Sequence, residues 1–265
     1  MLLLIDVGNT NTVFALYAER EPKGQWRLST ARERTAEEYA ALLFQLMSIG
    51  GFSQQQVEAV VIASVVPQTV FPLRLMSHTF FDCKAFVVGE DVPIPIENKL
   101  INPKEAGADR LVNALAAVRR YTPPLMVVDF GTATTFDIVD DDGAFSGGII
   151  APGINLSIEA LHLAAAKLPR IAVEPPSQVI GRSTVQAMQS GVFWGYIGMI
   201  EGLARRVEAE YGKSMTVIAT GGLAPLFARH CSTVEHVDRD LTMIGLVEIY
   251  LENRDLIRSG KKAEP

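Results

Sequence analysis

LLLIDVGNTNTVFAL (Leu2 to Leu16) and LMVVDFGTATTFDIV (Leu125 to Val139) state one pattern twice. Each opens on apolar residues, reaches an aspartate (Asp6 or Asp129), turns through Gly8 or Gly131 among threonines, and becomes apolar again. An apolar run ending in an acid reads as a buried strand. The segment beyond the polar turn, alternating in character, reads as its hairpin partner. Aligned without a gap, Asp6 falls on Asp129, Gly8 on Gly131 and Thr12 on Thr135. About half the chain separates the two blocks, so the repeat predicts two related domains.

The material after each block supports this. A helical pattern over Ala36 to Ser48 and an apolar strand over Ala59 to Val65, closed by Pro67, follow the first block. The second is followed by GGIIAPG (Gly147 to Gly153), a helix from near Asn155, and a short strand from Met215 to Thr220 that runs into Gly221 and Gly222. Strands alternating with helices predict an α/β fold. The polar stretch Tyr121 to Pro124, with two prolines, marks the boundary between domains 1–120 and 121–265.

Composition narrows the function. Of the 265 residues 48% are hydrophobic and 20% charged, the balance of a chain with a sizeable core. Net charge is −6, and no basic block stands out beyond Lys261 and Lys262, so nucleic acid is not an expected partner. The opening MLLLID is too short and lacks the basic leader of a signal peptide, and no apolar run approaches the roughly 20 residues of a membrane span. A cytoplasmic protein with no membrane partner is expected. Cys83, Cys231 and the scattered histidines show no metal-ligand spacing, so free thiols and no zinc site are expected.

The paired turns have a chemistry of their own. Phosphate needs several N–H donors on backbone that can come close, which glycine permits, and threonine and asparagine add uncharged donors. Gly8-Asn9-Thr10-Asn11-Thr12 and Gly131-Thr132-Ala133-Thr134-Thr135 both suit this, and Asp6 or Asp129 at the strand end could hold a charge-offsetting cation. Ordinary hairpin turns favour the same residues. Two blocks with an acid at the same place favour phosphate. Other nucleotide motifs fail: Gly212-Lys213-Ser214 has Val207 where a P-loop needs glycine, and no G-x-G-x-x-G follows a strand.

Between the blocks lies NPKEAGADRLVNALAAV (Asn102 to Val118), where Leu111, Ala114, Leu115 and Val118 recur at helical spacing, so GADR stands at a helix start. Asp109 is then either the N-cap of that helix or a carboxylate that takes the proton from an attacking hydroxyl. In the second case Arg110 is available to a carboxylate or phosphate oxygen. The residues alone leave both readings open.

In order along the chain stand D-V-G-N-T at Asp6, S-V-V-P at Ser64, G-A-D-R at Gly107, D-F-G-T-A-T-T at Asp129, G-G-I-I-A-P-G at Gly147 and G-R-S-T-V-Q-A-M-Q-S-G at Gly181. This set resembles that of the type III pantothenate kinases, from residue 1 to about residue 253. The resemblance implies two actin-like (ASKHA, ribonuclease H-like) domains with a cleft between them. It implies transfer of the γ-phosphoryl group of ATP to the terminal hydroxyl of pantothenate, giving 4'-phosphopantothenate, the first step of coenzyme A biosynthesis. ATP binding is implied for Asp6, Val7, Gly8, Asn9, Thr10, Asn11, Thr12, Val13 and Thr132, with Gly221 and Gly222 near the adenosine. Substrate binding is implied for Gly107, Ala108, Asp109, Arg110 and Thr184, with Asp109 as general base. Asp129 matches a ligand for potassium or ammonium, needed beside Mg2+. Many members carry a tyrosine where Leu100 stands, so no aromatic hydroxyl on the substrate is implied here.

Ser183 to Glu210 is a long helical pattern with Gly191, Gly195, Gly198 and Gly202 on one stripe. Each helical glycine costs about 1 kcal/mol against alanine, which close approach of another helix would offset. That helix belongs either to the same chain or to a second subunit, and the resemblance implies a homodimer. Trp194 beside the stripe packs there or in the core. Two rivals stand against the kinase reading: another kinase or phosphatase of this fold, and a non-catalytic transcription accessory protein.

Overall fold

The computed structural model describes residues 1–164 and 168–259. Along the chain come β1 (Leu2–Val7), β2 (Asn11–Ala18), β3 (Glu21–Ser29), α1 (Ala36–Ile49), β4 (Ala59–Ser64), α2 (Val70–Phe81), β5 (Ala85–Val87) and α3 (Ala108–Arg120). Then follow β6 (Leu125–Phe130), β7 (Ala133–Val139), β8 (Phe145–Pro152), α4 (Ile154–Ala164), α5 (Thr184–Tyr211), β9 (Thr216–Gly221), α6 (Ala224–Ala228) and β10 (His236–Val237). Helices α7 (Leu241–Glu252) and α8 (Arg254–Ser259) close the described chain.

The chain divides into two compact units, Met1–Arg119 with Leu241–Pro265, and Arg120–Asp240. Each holds a five-stranded sheet, ordered β3-β2-β1-β4-β5 in the first and β10-β9-β6-β7-β8 in the second. Read from the hairpin side the two orders are the same. In each, an antiparallel meander of three strands is joined by parallel pairing to two more, so β1 corresponds to β6, β2 to β7, β3 to β8 and β4 to β9. The repeated sequence block is the central hairpin of each sheet.

In the first unit the pleat of β1 sorts its apolar run onto two faces. Leu2 and Leu4 join Val112, Leu115 and the apolar face of α7 in one cluster, whereas Leu3, Ile5 and Val7 join Tyr39, Leu43 and Leu73 of α1 and α2. Because helices cover both faces, β2 is buried almost throughout and does not show the polar alternation expected of it. The edge strand β3 alternates instead.

The expected second domain of 121–265 is corrected at its end. Leu241, Met243, Leu246, Val247, Ile249 and Tyr250 of α7 are buried in the first unit's core, each full side chain stabilising by about 1.5–3 kcal/mol. Gly245 permits the fit, because a Cβ there would lie 2.3 Å from the Val112 carbonyl oxygen on α3. Arg20 pairs with Glu248, and Arg254 with Glu19, tying α7 and α8 to the β2–β3 turn. Residues 260–265, including Lys261 and Lys262, lie outside the described residues.

In the second unit α4, α5 and α6 cover one face of the sheet through Ile154, Ile158, Phe193, Ile197, Ile200 and Phe227. Gly212 ends α5 in the left-handed conformation at φ 82°, the usual use of glycine after a helix. Lys213 beside it pairs with Asp141, so this run serves the helix end and not a P-loop. No helix among the described residues is long and apolar enough to cross a membrane.

Candidate active site

In the first unit, Asp6 is half-buried near the C-terminal end of β1, opposite Val13 on β2 and Ala63 on β4. Beyond it the chain turns through Gly8, Asn9, Thr10 and Asn11, the last three exposed, and the Gly8 amide donates to the Asn11 carbonyl at 2.9 Å. Val7 and Val13 are buried core residues, so any contact they make with a nucleotide is through backbone. Thr12 is fully buried, its hydroxyl 3.0 Å from that of Thr30.

The GADR segment reaches the same edge of the sheet. The Val65 amide, just past β4, donates to the Val7 carbonyl at 3.0 Å, and the Val65 side chain comes within 3.9 Å of where a Gly107 Cβ would stand. Helix α3 begins at Ala108, so Asp109 lies inside the first turn and is not the N-cap. Its Oδ1 accepts from the Arg110 amide at 2.8 Å. A Cβ at residue 107 would sit 2.5 Å from that oxygen, which accounts for the glycine. Burial pushes the Asp109 carboxyl above the usual carboxylate range, partly offset by the Arg110 amide hydrogen bond and the guanidinium charge. Such a carboxylate is a stronger base than a solvated one. Leu100 is half-buried nearby in sequence, its amide held by Asn98 Oδ1 at 3.1 Å.

In the second unit, Asp129 is half-buried on β6 between Thr135 and Thr220 in register. Gly221, at φ 90°, passes behind it; a Cβ there would lie 2.7 Å from Asp129 Oδ1 and equally close to the Phe130 carbonyl oxygen. Thr132 is exposed at the tip of the turn, and the Gly131 amide donates to the Ala133 carbonyl at 3.1 Å. Gly153, just past β8, approaches this turn so closely that a Cβ would meet the Thr132 carbonyl oxygen at 2.1 Å.

The strand registers correct the ungapped alignment of the two blocks. Val7 pairs with Thr12 across four turn residues, whereas Phe130 pairs with Thr134 across three. The first turn is therefore one residue longer, and Thr12 corresponds to Thr134, not Thr135. Both are fully buried. The same counting along β3 and β8 sets Asn11–Ser29 against Ala133–Pro152, so Thr30 corresponds to Gly153. Thr30 had no signal in the motif pattern and appears only in the hydrogen bonding.

Thr184 opens α5, one residue after Ser183, whose hydroxyl accepts from the Gln186 amide at 3.3 Å. A Cβ on Gly181 would lie 2.3 Å from the Ala187 nitrogen, so the G-R-S-T run folds tightly over the first turn of the helix. Thr184 is exposed on a groove shared with Ser157, Leu161, Gly191, Gly195 and Tyr196. Tyr196 donates to the Pro152 carbonyl at 2.8 Å, linking that groove to the strand before Gly153. At Gly191, Gly195, Gly198 and Gly202 a Cβ would meet nothing within 4 Å, so the space directly over each of these glycines is open. Trp194 turns the other way, edge-on to Phe193 and His230 beside the core.

Residues 2–206 match the family model described as type III pantothenate kinase. The type III pantothenate kinase of Paramagnetospirillum magneticum is 55% identical over 97% of this chain and all of its own length. Among solved structures, a Baf family transcriptional activator from Campylobacter jejuni is similar in fold, with TM-score 0.62 at 19% identity over 96% of this chain and 99% of its own. A 2-dehydro-3-deoxygalactonokinase protein from Sinorhizobium meliloti gives TM-score 0.55 at 10% identity, covering 95% and 96%. The fold is that of the two-domain actin-like kinases, and by sequence the chain belongs to the type III pantothenate kinase family.

Proposed function

We propose that this chain phosphorylates the terminal hydroxyl of pantothenate with ATP in the cytoplasm, as an early step towards coenzyme A. The observation that carries the mechanism is Asp109: a half-buried carboxylate of raised basicity beside a glycine that leaves room for it. Asp109 accepts the hydroxyl proton as the substrate oxygen bonds to the γ-phosphorus. The bond from that phosphorus to the β-phosphate oxygen breaks, and ADP leaves with its electron pair. Phosphoryl transfer of this kind depends on positioning and charge neutralisation more than on a strong base, so a carboxylate suffices.

The Gly8-to-Asn11 turn of the first unit holds ATP phosphate through its amides, and Thr132 is a further proposed ATP-binding residue. Thr12 serves from within, since its hydroxyl is buried against Thr30. Arg110 and the amides of Gly107 and Ala108 bind pantothenate; Thr184 is proposed separately as a substrate-binding residue. Among the described residues no group of three or more His, Cys, Asp and Glu could enclose a metal ion. Single carboxylates with hydroxyl and carbonyl oxygens suit hard cations whose remaining ligands are phosphates and water. Asp129 is the ligand proposed for potassium or ammonium. Mg2+ and the monovalent ion would neutralise the phosphate charge. The open glycine stripe on α5 supports a homodimer through this face, for which sedimentation at the chain's own mass would be the contrary result.

The test is ADP release coupled to a spectroscopic readout. Release should depend on pantothenate, with one phosphopantothenate formed per ADP. ADP release unaffected by pantothenate but stimulated by a sugar would overturn the substrate assignment. The net charge of −6 argues against a DNA-binding role.

A further inference from the structure

Thr30 lies outside every motif of the sequence, just past β3, yet two hydrogen bonds join it to the first turn and a third to Thr12 beyond it. Its hydroxyl donates to the Gly8 carbonyl at 2.7 Å, its amide donates to the Thr10 carbonyl at 2.9 Å, and its oxygen lies 3.0 Å from Thr12 Oγ1. A hydroxyl carries one proton, and that of Thr30 is committed to Gly8. The Thr12 hydroxyl is therefore the donor between them, giving a chain from Thr12 through Thr30 to the Gly8 carbonyl.

The direction of these bonds has a consequence for the turn. In a planar trans peptide the N–H points opposite to the C=O of the same unit. With the Gly8 and Thr10 carbonyls both drawn towards Thr30, the amides of Asn9 and Asn11 point away from it. Those residues and Thr10 are exposed, so two donors directed away from Thr30 lie on one short exposed turn, an arrangement suited to backbone anion binding. The second unit shows what replaces this device. There the corresponding position is Gly153, where backbone contacts the turn directly and no side chain fits. The Thr134 hydroxyl, matching Thr12, has no hydrogen-bond partner among the described residues. The three-residue turn is braced by close backbone approach. The four-residue turn needs a side chain to span the extra distance, and Thr30 supplies it.

We propose that Thr30 is a positioning residue for the phosphoryl donor: it fixes the directions of the Asn9 and Asn11 amides that bind ATP phosphate. This rests on the assignment of the first turn to phosphate. The experiment measures KM for ATP and for pantothenate, with kcat and thermal stability, in Thr30→Val, Thr30→Ser and Thr10→Glu. Thr30→Val keeps the branched shape and loses the hydroxyl. It should raise KM for ATP about tenfold, leaving KM for pantothenate unchanged, and Thr30→Ser should restore ATP affinity. Thr10→Glu places a negative charge on the turn tip and should raise KM for ATP at least as much. If Thr10→Glu weakens ATP while Thr30→Val does not, the role of Thr30 is overturned and the phosphate assignment stands. If neither variant changes KM for ATP, both fall. A Thr30→Val protein that melts earlier with both KM values intact would make Thr30 merely structural. Should Thr30→Val not fold, Thr30→Ala carries the same expectations.

Discussion

Gly153→Ala is the sharpest single-atom perturbation of the site. The added Cβ would lie 2.1 Å from the Thr132 carbonyl oxygen, 2.7 Å from its carbon and 2.9 Å from the Gly131 oxygen. All three atoms are backbone, so no rotamer change relieves the overlap. Restoring ordinary contact of about 3.4 Å requires a shift of about 1 Å between the turn and the start of α4. Overpacking of this kind costs about 1–3 kcal/mol in stability, small enough to leave a folded protein. Displacing a positioning group by about 1 Å can cost about 100-fold in rate. We therefore expect kcat/KM for ATP to fall about 10–100-fold, or about 1.4–2.7 kcal/mol of transition-state stabilisation, while KM for pantothenate changes little. Steady-state kinetics with each substrate varied in turn, alongside a thermal melt, makes the test. Wild-type ATP kinetics together with a lowered melting temperature would show that the turn moved without consequence and would refute the placement of phosphate at Thr132.

Three further outcomes are expected. Because burial raises the folded-state pKa of Asp109, the native state binds more protons than the unfolded chain between the usual carboxylate range and that higher value. Stability then falls as pH rises through that window, so Asp109→Asn should melt no earlier than wild type at neutral pH; an earlier melt would contradict burial as the cause of the raised pKa. Activity should need potassium or ammonium and fail in sodium alone, and equal rates in the three salts would remove Asp129 from the cation role. Gly245→Ala, with its Cβ 2.3 Å from the Val112 carbonyl oxygen, should destabilise the first unit by about 1–3 kcal/mol in chemical denaturation without altering either KM; unchanged stability would mean that α7 does not seat against α3 as described.

Much of this architecture was legible because hydrophobic runs and glycines carry it. The repeated apolar-Asp-x-Gly block announced two hairpins, and two sheets of one topology contain them. Helix α5 runs Thr184–Tyr211 against an expected Ser183 to Glu210, since capping and glycine signals bound it well. What failed had physical reasons. The turn lengths differ by one residue, which an ungapped comparison hides, and only register matches Thr12 to Thr134. The return of α7 to the first unit left no local mark, because an apolar helix states that it is buried without stating against what. Asp109 read equally as cap or base until the helix start at Ala108 moved it into the first turn. Thr30 was invisible because one hydroxyl beside a strand end carries no pattern.

In the proposed mechanism Asp109 readies the alcohol while other residues hold the nucleotide. The most direct measurement takes ATP affinity and the single-turnover rate of phosphopantothenate formation on the same Asp109→Asn protein. ATP binding should stay within about twofold of wild type while the transfer rate falls by about 100-fold or more. A transfer rate near wild type would contradict that role outright, and a loss confined to ATP binding would assign Asp109 to the nucleotide instead.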